Sequence, residues 1–100
     1  MEKIETPTAG EILNEEFLKP LNISAYRLAK DIHVPVSRIQ DILKARRKIT
    51  LETSIKLGKY FGLSDTYFLN IQNNIDKRNL SKVFLDEVEI ITPCSKLKAI

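Results

Sequence analysis

The sequence predicts an all-α domain of five short helices between residue 9 and about residue 75, followed by a C-terminal extension of different character. Three observations predict it. Apolar residues recur at helical spacing in five successive windows, each window opens on a Thr, Ser or Pro suited to a helix start, and Pro20, Pro35 and Gly62 punctuate the run. One hundred residues, 43% of them apolar and 29% charged, suffice for one compact domain with a modest core.

The first helix is expected over roughly 9–18. Thr8 is its N-cap, Glu11 three residues on completes a capping box, Ile12, Leu13 and Phe17 form its apolar face, and Pro20 closes it. Ser24 caps the second, which buries Leu28, Ala29 and Ile32 and stops because Pro35 disfavours helical geometry at Val34. Pro35 suits the first turn of a third helix, about 35–44, with Ile39, Ile42 and Leu43 on one face. Thr50 caps a fourth with Leu51, Ile55, Leu57 and Phe61 available for burial and Gly62 as a left-handed C-terminal stop. Ser64 caps a fifth containing Tyr67, Phe68 and Ile71. The chain thus divides into a helical domain, 1–76, and an extension, 77–100.

In the extension, "VFLDEVEIITP" is rich in β-branched residues with partial alternation, which reads as a strand ended by Pro93. A lone strand leaves its backbone groups unpaired. It must therefore pair with a second copy, pack as an extended arm, or be a helical continuation instead.

Composition narrows the function classes. Nothing approaches the apolar length needed to cross a bilayer, and "MEKIETPTAG" lacks the apolar centre of a signal peptide, so a cytoplasmic protein with no membrane partner is expected. One cysteine, Cys94, and one histidine, His33, supply no ligand set, so no metal and no cofactor is expected. Cys94 reads as an ordinary small apolar residue and His33 as a helix-end residue. An enzyme is not expected, since no glycine-rich loop is present and His33 has no evident nucleophile partner.

Charge is unevenly placed. Residues 1–24 hold two Lys against five Glu, a net of −3; residues 25–59 hold nine Lys and Arg against three acids, a net of +6; residues 60–100 balance five against five. A basic cluster in one structural unit fits a face for a polyanion. By itself it fits a solvated helix surface equally well.

The stretch "LAKDIHVPVSRIQDILKARRKIT" favours the polyanion. Two short helices joined by a tight turn form a helix–turn–helix, in which the first helix braces on the DNA backbone and the second presents side chains to the major groove. Small Ala29 sits at the close approach, with Leu28, Ile32, Val34, Ile39 and Ile42 between the helices. That leaves Val36, Ser37, Arg38, Gln40, Asp41 and Lys44 on the outer face, with Arg38 exposed and Ile39 and Ile42 buried. Arg and Gln make bidentate contacts with guanine and adenine edges. Asp41 either accepts from cytosine or orients Arg38 or Lys44. Arg46, Arg47 and Lys48 follow at the helix exit, where phosphates pass, and the N–H groups at Ser24 and Ala25 suit a phosphate too. Tyr26 either touches a phosphate or covers the core.

The same stretch, followed by "SIKLGKYFGLSDTYFLNIQNNID" and preceded by "TPTAGEILNEEFLKPLNIS", resembles the HigA-type antitoxins, also known as virulence-associated protein I. These are a branch of the lambda-repressor-like family with a five-helix DNA-binding domain. The likeness covers about residues 6–76. It implies an autorepressor that binds double-stranded operator DNA in its own promoter as a homodimer and neutralises a co-encoded toxin, typically a ribosome-dependent mRNA endonuclease. Such a protein works in the bacterial cytoplasm, on the nucleoid when bound. By matching positions, base reading falls on Val36, Ser37, Arg38, Gln40 and Asp41, and phosphate contact on Arg27, Lys44, Arg46 and Lys48, which the exit position of Arg47 extends to that residue. The chain departs from the family at His33, where glycine is usual, and at Phe68, where tryptophan is usual.

From Lys77 onward little matches, so neither a dimer nor a toxin surface transfers with the resemblance. The apolar tail, Val83, Phe84, Leu85, Val88, Ile90 and Ile91, is the expected dimer contact, and the glutamates Glu2, Glu5, Glu11, Glu15 and Glu16 the expected toxin contact. A stand-alone or phage-type repressor without a toxin, and an adaptor that has lost DNA binding, are the competing readings.

Overall fold

A computed structural model describes residues 7–96 and shows six helices and, among the described residues, no strand. Helix α1 is the continuous run 9–21. It opens on the expected capping box, the Glu11 N–H donating to Thr8 Oγ1 at 3.1 Å and the Thr8 N–H to Glu11 Oε1 at 3.3 Å. Pro20 does not close it. Between Ala9–Leu13 and Lys19–Leu21 the helix widens into a π-helical stretch, Asn14–Leu18. There the Lys19 N–H donates to the Asn14 carbonyl, which opens the ladder just ahead of a ring that has no N–H and would crowd an ordinary turn. The helix ends at Asn22, which is left-handed with φ 56°.

Helix α2, Ala25–Ile32, has Ser24 Oγ accepting from the Arg27 N–H at 3.0 Å. It stops at His33 rather than at Val34. His33 is left-handed (φ 62°), and the Val34 N–H closes back onto the Ala29 carbonyl at 3.0 Å. Pro35 then lies just outside helix α3, Val36–Leu43, as its N-cap and not in its first turn. Helix α3 is closed by Ala45, again left-handed (φ 60°), with the Arg46 N–H on the Asp41 carbonyl at 2.8 Å.

Helix α4, Leu51–Phe61, begins at Thr50 and ends at Gly62 as expected, but its buried face differs. Leu51 and Ile55 are exposed, Leu57 is buried and Phe61 is half-buried, while Thr53 and Ser54 are buried. Ser54 is inside because its hydroxyl donates to the Asp65 carbonyl at 2.7 Å and accepts from the Leu69 N–H at 3.2 Å, tying α4 to the next helix. Helix α5, Tyr67–Arg78, starts later than Ser64 predicts. A turn intervenes, closed by the Tyr67 N–H on the Ser64 carbonyl, and Thr66 is the cap without a side-chain bond.

The tail is not a strand. Residues Lys82–Glu89 form α6, capped by Ser81 Oγ accepting from the Phe84 N–H at 3.1 Å and braced by the Lys82–Asp86 pair at 3.3 Å. A helix satisfies its backbone groups internally, which an unpartnered strand cannot do. Every described residue from Asn79 onward is exposed, so α6 stands off the body.

Helices α2 and α3 pack on each other, α1 packs on α3 and α5, and α4 on α2 and α5. Leu13, Leu28, Ile39, Leu57 and Phe68 are fully buried at the centre. Phe68 fills the position where the resembled family has tryptophan by joining an aromatic cluster, 5.1 Å from both Phe17 and Tyr67 with its ring steeply inclined to each.

Candidate nucleic-acid interface

Helix α3 is amphipathic in the sense the site requires. Ile39 and Ile42 are 0% and 2% exposed, and they hold the helix against the body. Ser37, Gln40 and Lys44 are exposed and Asp41 half-buried; the spacing sets all four along one stripe of the opposite face. Two expected readers lie differently. Val36 is half-buried and packs on the core cluster. Arg38 is half-covered rather than exposed, in a recess with Val34, Glu52, Thr53, Ile55 and Lys56, so it flanks the stripe on the α4 side.

Asp41 faces Arg46, not Arg38 or Lys44. Its Oδ1 lies 3.9 Å from the Arg46 guanidinium, across the left-handed turn at Ala45. Arg46, Arg47 and Lys48 are all exposed, so the basic run leaves α3 facing solvent. Lys48 is nonetheless ion-paired, through Nζ, with Asp76 on α5.

On α2, Arg27 stands in the first turn with its Nε donating to Asp31 Oδ2 at 2.8 Å. The same carboxylate oxygen accepts from the Tyr60 hydroxyl at 2.6 Å. The Tyr60 hydrogen bond, reinforced by Arg27, holds the Asp31 carboxyl below its ordinary range despite partial burial. Reciprocally, hydrogen bonding to Asp31 raises the Tyr60 phenol and the Arg27 guanidinium. Arg27 is thereby aimed by a partner one helical turn away. Tyr26 is 67% exposed, which removes it from the core and leaves it on the outer side of α2.

Sequence reasoning missed three contributors. Tyr60 orients Asp31 from α4, and Gln72 and Asp76 reach the basic turn from α5. Gln72 lies in the quoted "SIKLGKYFGLSDTYFLNIQNNID", but its contact, to Ile49, lies 23 residues away.

A helix pair closed by a tight turn, with a polar stripe on its second helix and a basic exit beside it, defines a helix–turn–helix DNA-binding module. The helix–turn–helix family pattern matches residues 15–68. The virulence-associated protein I of Dichelobacter nodosus is 42% identical over 86 residues, covering 86% of this chain and 79% of that protein. The fold is similar to the Pseudomonas aeruginosa antitoxin HigA with higBA promoter (TM-score 0.75, 30% identity, 87% of this chain and 96% of that one). It is also similar to an addiction module antidote protein of the HigA family from Coxiella burnetii (TM-score 0.76, 35% identity, 91% and 100%). The chain belongs to the helix–turn–helix family, in its HigA-type, virulence-associated protein I-like branch. That branch consists of DNA-binding regulators and antitoxins, not enzymes. Among the described residues no helix is long and apolar enough to cross a membrane.

Proposed function

We propose that the protein is a sequence-specific autorepressor and antitoxin of a toxin–antitoxin module. As a homodimer it binds double-stranded operator DNA in its own promoter, and it neutralises a co-encoded, ribosome-dependent mRNA-cleaving toxin in the cytoplasm, associating with the nucleoid when bound. The observation that carries the DNA half is the division of α3, one face sealed by Ile39 and Ile42 and the other offering Ser37, Gln40 and Lys44 beside a basic exit. The relative solved with its promoter supports the same reading.

In this reading Ser37, Gln40 and Asp41 meet base edges, with Arg38 reaching in from the side and Val36 offering a methyl edge. Arg27, Lys44, Arg46, Arg47 and Lys48 meet phosphates, which fix register while base contacts specify. One module reads only a half-site, and symmetric operators are matched by two-fold protein symmetry. Helix α6 leaves Val83, Phe84, Leu85 and Val88 exposed, which suits a contact between copies. For the toxin, Glu11 and Glu16 are exposed on α1 and Glu15 is shared with Lys19 at 2.7 Å, while Glu2 and Glu5 lie outside the described residues. Complementary charge there serves encounter more than affinity.

Gel shifts on the promoter duplex and on random DNA, with and without the neighbouring gene's product, test this. The protein is expected to shift the promoter selectively and, in light scattering, to be a dimer. Equal affinity for both duplexes overturns the repressor reading. Promoter binding without inhibition of the neighbouring product leaves a stand-alone repressor.

A further inference from the structure

The turn between α3 and α4 carries Arg46, Arg47 and Lys48, yet its shape is set from α5. Ile49, at the end of the turn, is 2% exposed, and its backbone amide and carbonyl have no helical partners of their own. The Gln72 side chain satisfies both: the Ile49 N–H donates to Gln72 Oε1 at 2.7 Å, and Gln72 Nε2 donates to the Ile49 carbonyl at 2.8 Å. Two antiparallel bonds to one residue fix the orientation of its backbone, as a neighbouring strand would. One helical turn further along α5, Asp76 pairs with Lys48. The basic turn is therefore held at three points: the left-handed Ala45 at its start, Asp76 on Lys48, and Gln72 at its end.

We propose that Gln72 is a positioning residue for DNA recognition and that Asp76 restrains Lys48 from indiscriminate phosphate contact. The proposal rests on the DNA-binding reading above. Phosphate contacts set the register in which α3 meets base edges, so the turn must present its charges at fixed places relative to the α3 stripe. Gln72 supplies that fixed frame by anchoring the chain directly after the basic run. Asp76 acts on charge rather than on stability, because an ion pair with side chains 70% and 45% exposed contributes little to folding.

The test uses the full chain and the variants Gln72→Met, Gln72→Glu and Asp76→Asn, each checked for folding by circular dichroism. Fluorescence anisotropy over a salt series measures affinity for the promoter duplex and for random DNA, and amide exchange follows Ile49. Gln72→Met is expected to weaken promoter binding about tenfold and lower its salt slope by about one unit while changing random DNA less, and to speed Ile49 exchange. Gln72→Glu keeps the acceptor for the Ile49 N–H but turns a carboxylate oxygen on the Ile49 carbonyl and adds a negative charge beside the basic turn, so it is read by the promoter-to-random ratio and Ile49 exchange and not by the slope. Asp76→Asn frees Lys48, so random-DNA binding should rise and its salt slope steepen by about one unit. A merely structural Gln72 would alter melting and leave the slope and the promoter-to-random ratio unchanged, and that result overturns its positioning role. An unaltered slope in Asp76→Asn overturns the restraint on Lys48. If Gln72→Met does not fold, Gln72→Glu decides by the promoter-to-random ratio and Ile49 exchange, and an unchanged ratio overturns the positioning role. Wild-type protein with no preference between the duplexes refutes the DNA reading and this inference together; wild-type selectivity retained in every variant refutes this inference alone.

Discussion

Gly10→Ala is expected to unseat α1 from the recognition helix. Gly10 is buried at the second position of α1, and a Cβ built on it lies 1.9 Å from the Ile42 carbonyl oxygen, 2.8 Å from the Ile42 carbonyl carbon and 3.1 Å from Leu43 Cα. All three are backbone atoms of α3, so no side chain can swing away. Restoring an ordinary contact of 3.4 Å requires a shift of 3.4 − 1.9 = 1.5 Å between the helices. Alanine returns roughly 0.5–1 kcal/mol through helix propensity. Overpacking of a fixed contact costs about 1–3 kcal/mol and more when backbone must move. With a displacement this large the upper end applies, so a net loss of about 2 kcal/mol is expected, or roughly 8–16 °C in Tm for a domain of this size. Urea and thermal unfolding followed by circular dichroism measure it, and the midpoint should fall with the m-value unchanged. Gly62→Ala is the contrast: its Cβ meets nothing within 4 Å, so only the left-handed backbone (φ 73°) opposes it, at about 1 kcal/mol. A Gly10→Ala protein that melts within 2 °C of wild type, or no lower than Gly62→Ala, refutes the close α1–α3 approach.

The other left-handed positions predict the opposite sign: Ala45→Gly should stabilise by about 0.5–1 kcal/mol, since alanine at φ 60° carries a strain that glycine lacks, and calorimetry checks it. Asp31 has its carboxyl pKa lowered by Tyr60 and Arg27, so its contribution is fully present above the ordinary value of about 3.9 and is lost as pH falls through the lowered one. Melting curves of wild type and Asp31→Asn should accordingly differ at pH 7 and converge in strong acid; a constant gap contradicts the assignment. Gln40→Ala should cost about 1–3 kcal/mol on the promoter and little on random DNA, whereas Arg47→Ala should weaken both and lower the salt slope by about one unit. Anisotropy titrations decide between the two behaviours.

What the sequence determined by itself was the set of features whose causes act within one helical turn. Thr8, Ser24 and Thr50 cap where expected, because a cap is a bond across three residues. The helix–turn–helix and the burial of Leu28, Ile39 and Ile42 follow from apolar spacing around a tight turn. The tertiary structure decided what periodicity leaves ambiguous. The tail's partial alternation serves either period, and a strand required a partner where Ser81 could start a helix alone. In α4, Ser54 went inside and Leu51 and Ile55 outside, because the Asp65 carbonyl and Leu69 N–H needed the hydroxyl. The place of Arg38 opposite Ile39 predicts exposure, yet the first turn of α4 half-covers it. The fit of Gly10 on Ile42 and the grip of Gln72 on Ile49 join helices far apart in sequence. Such contacts depend on how whole faces pack, and no local pattern encodes them.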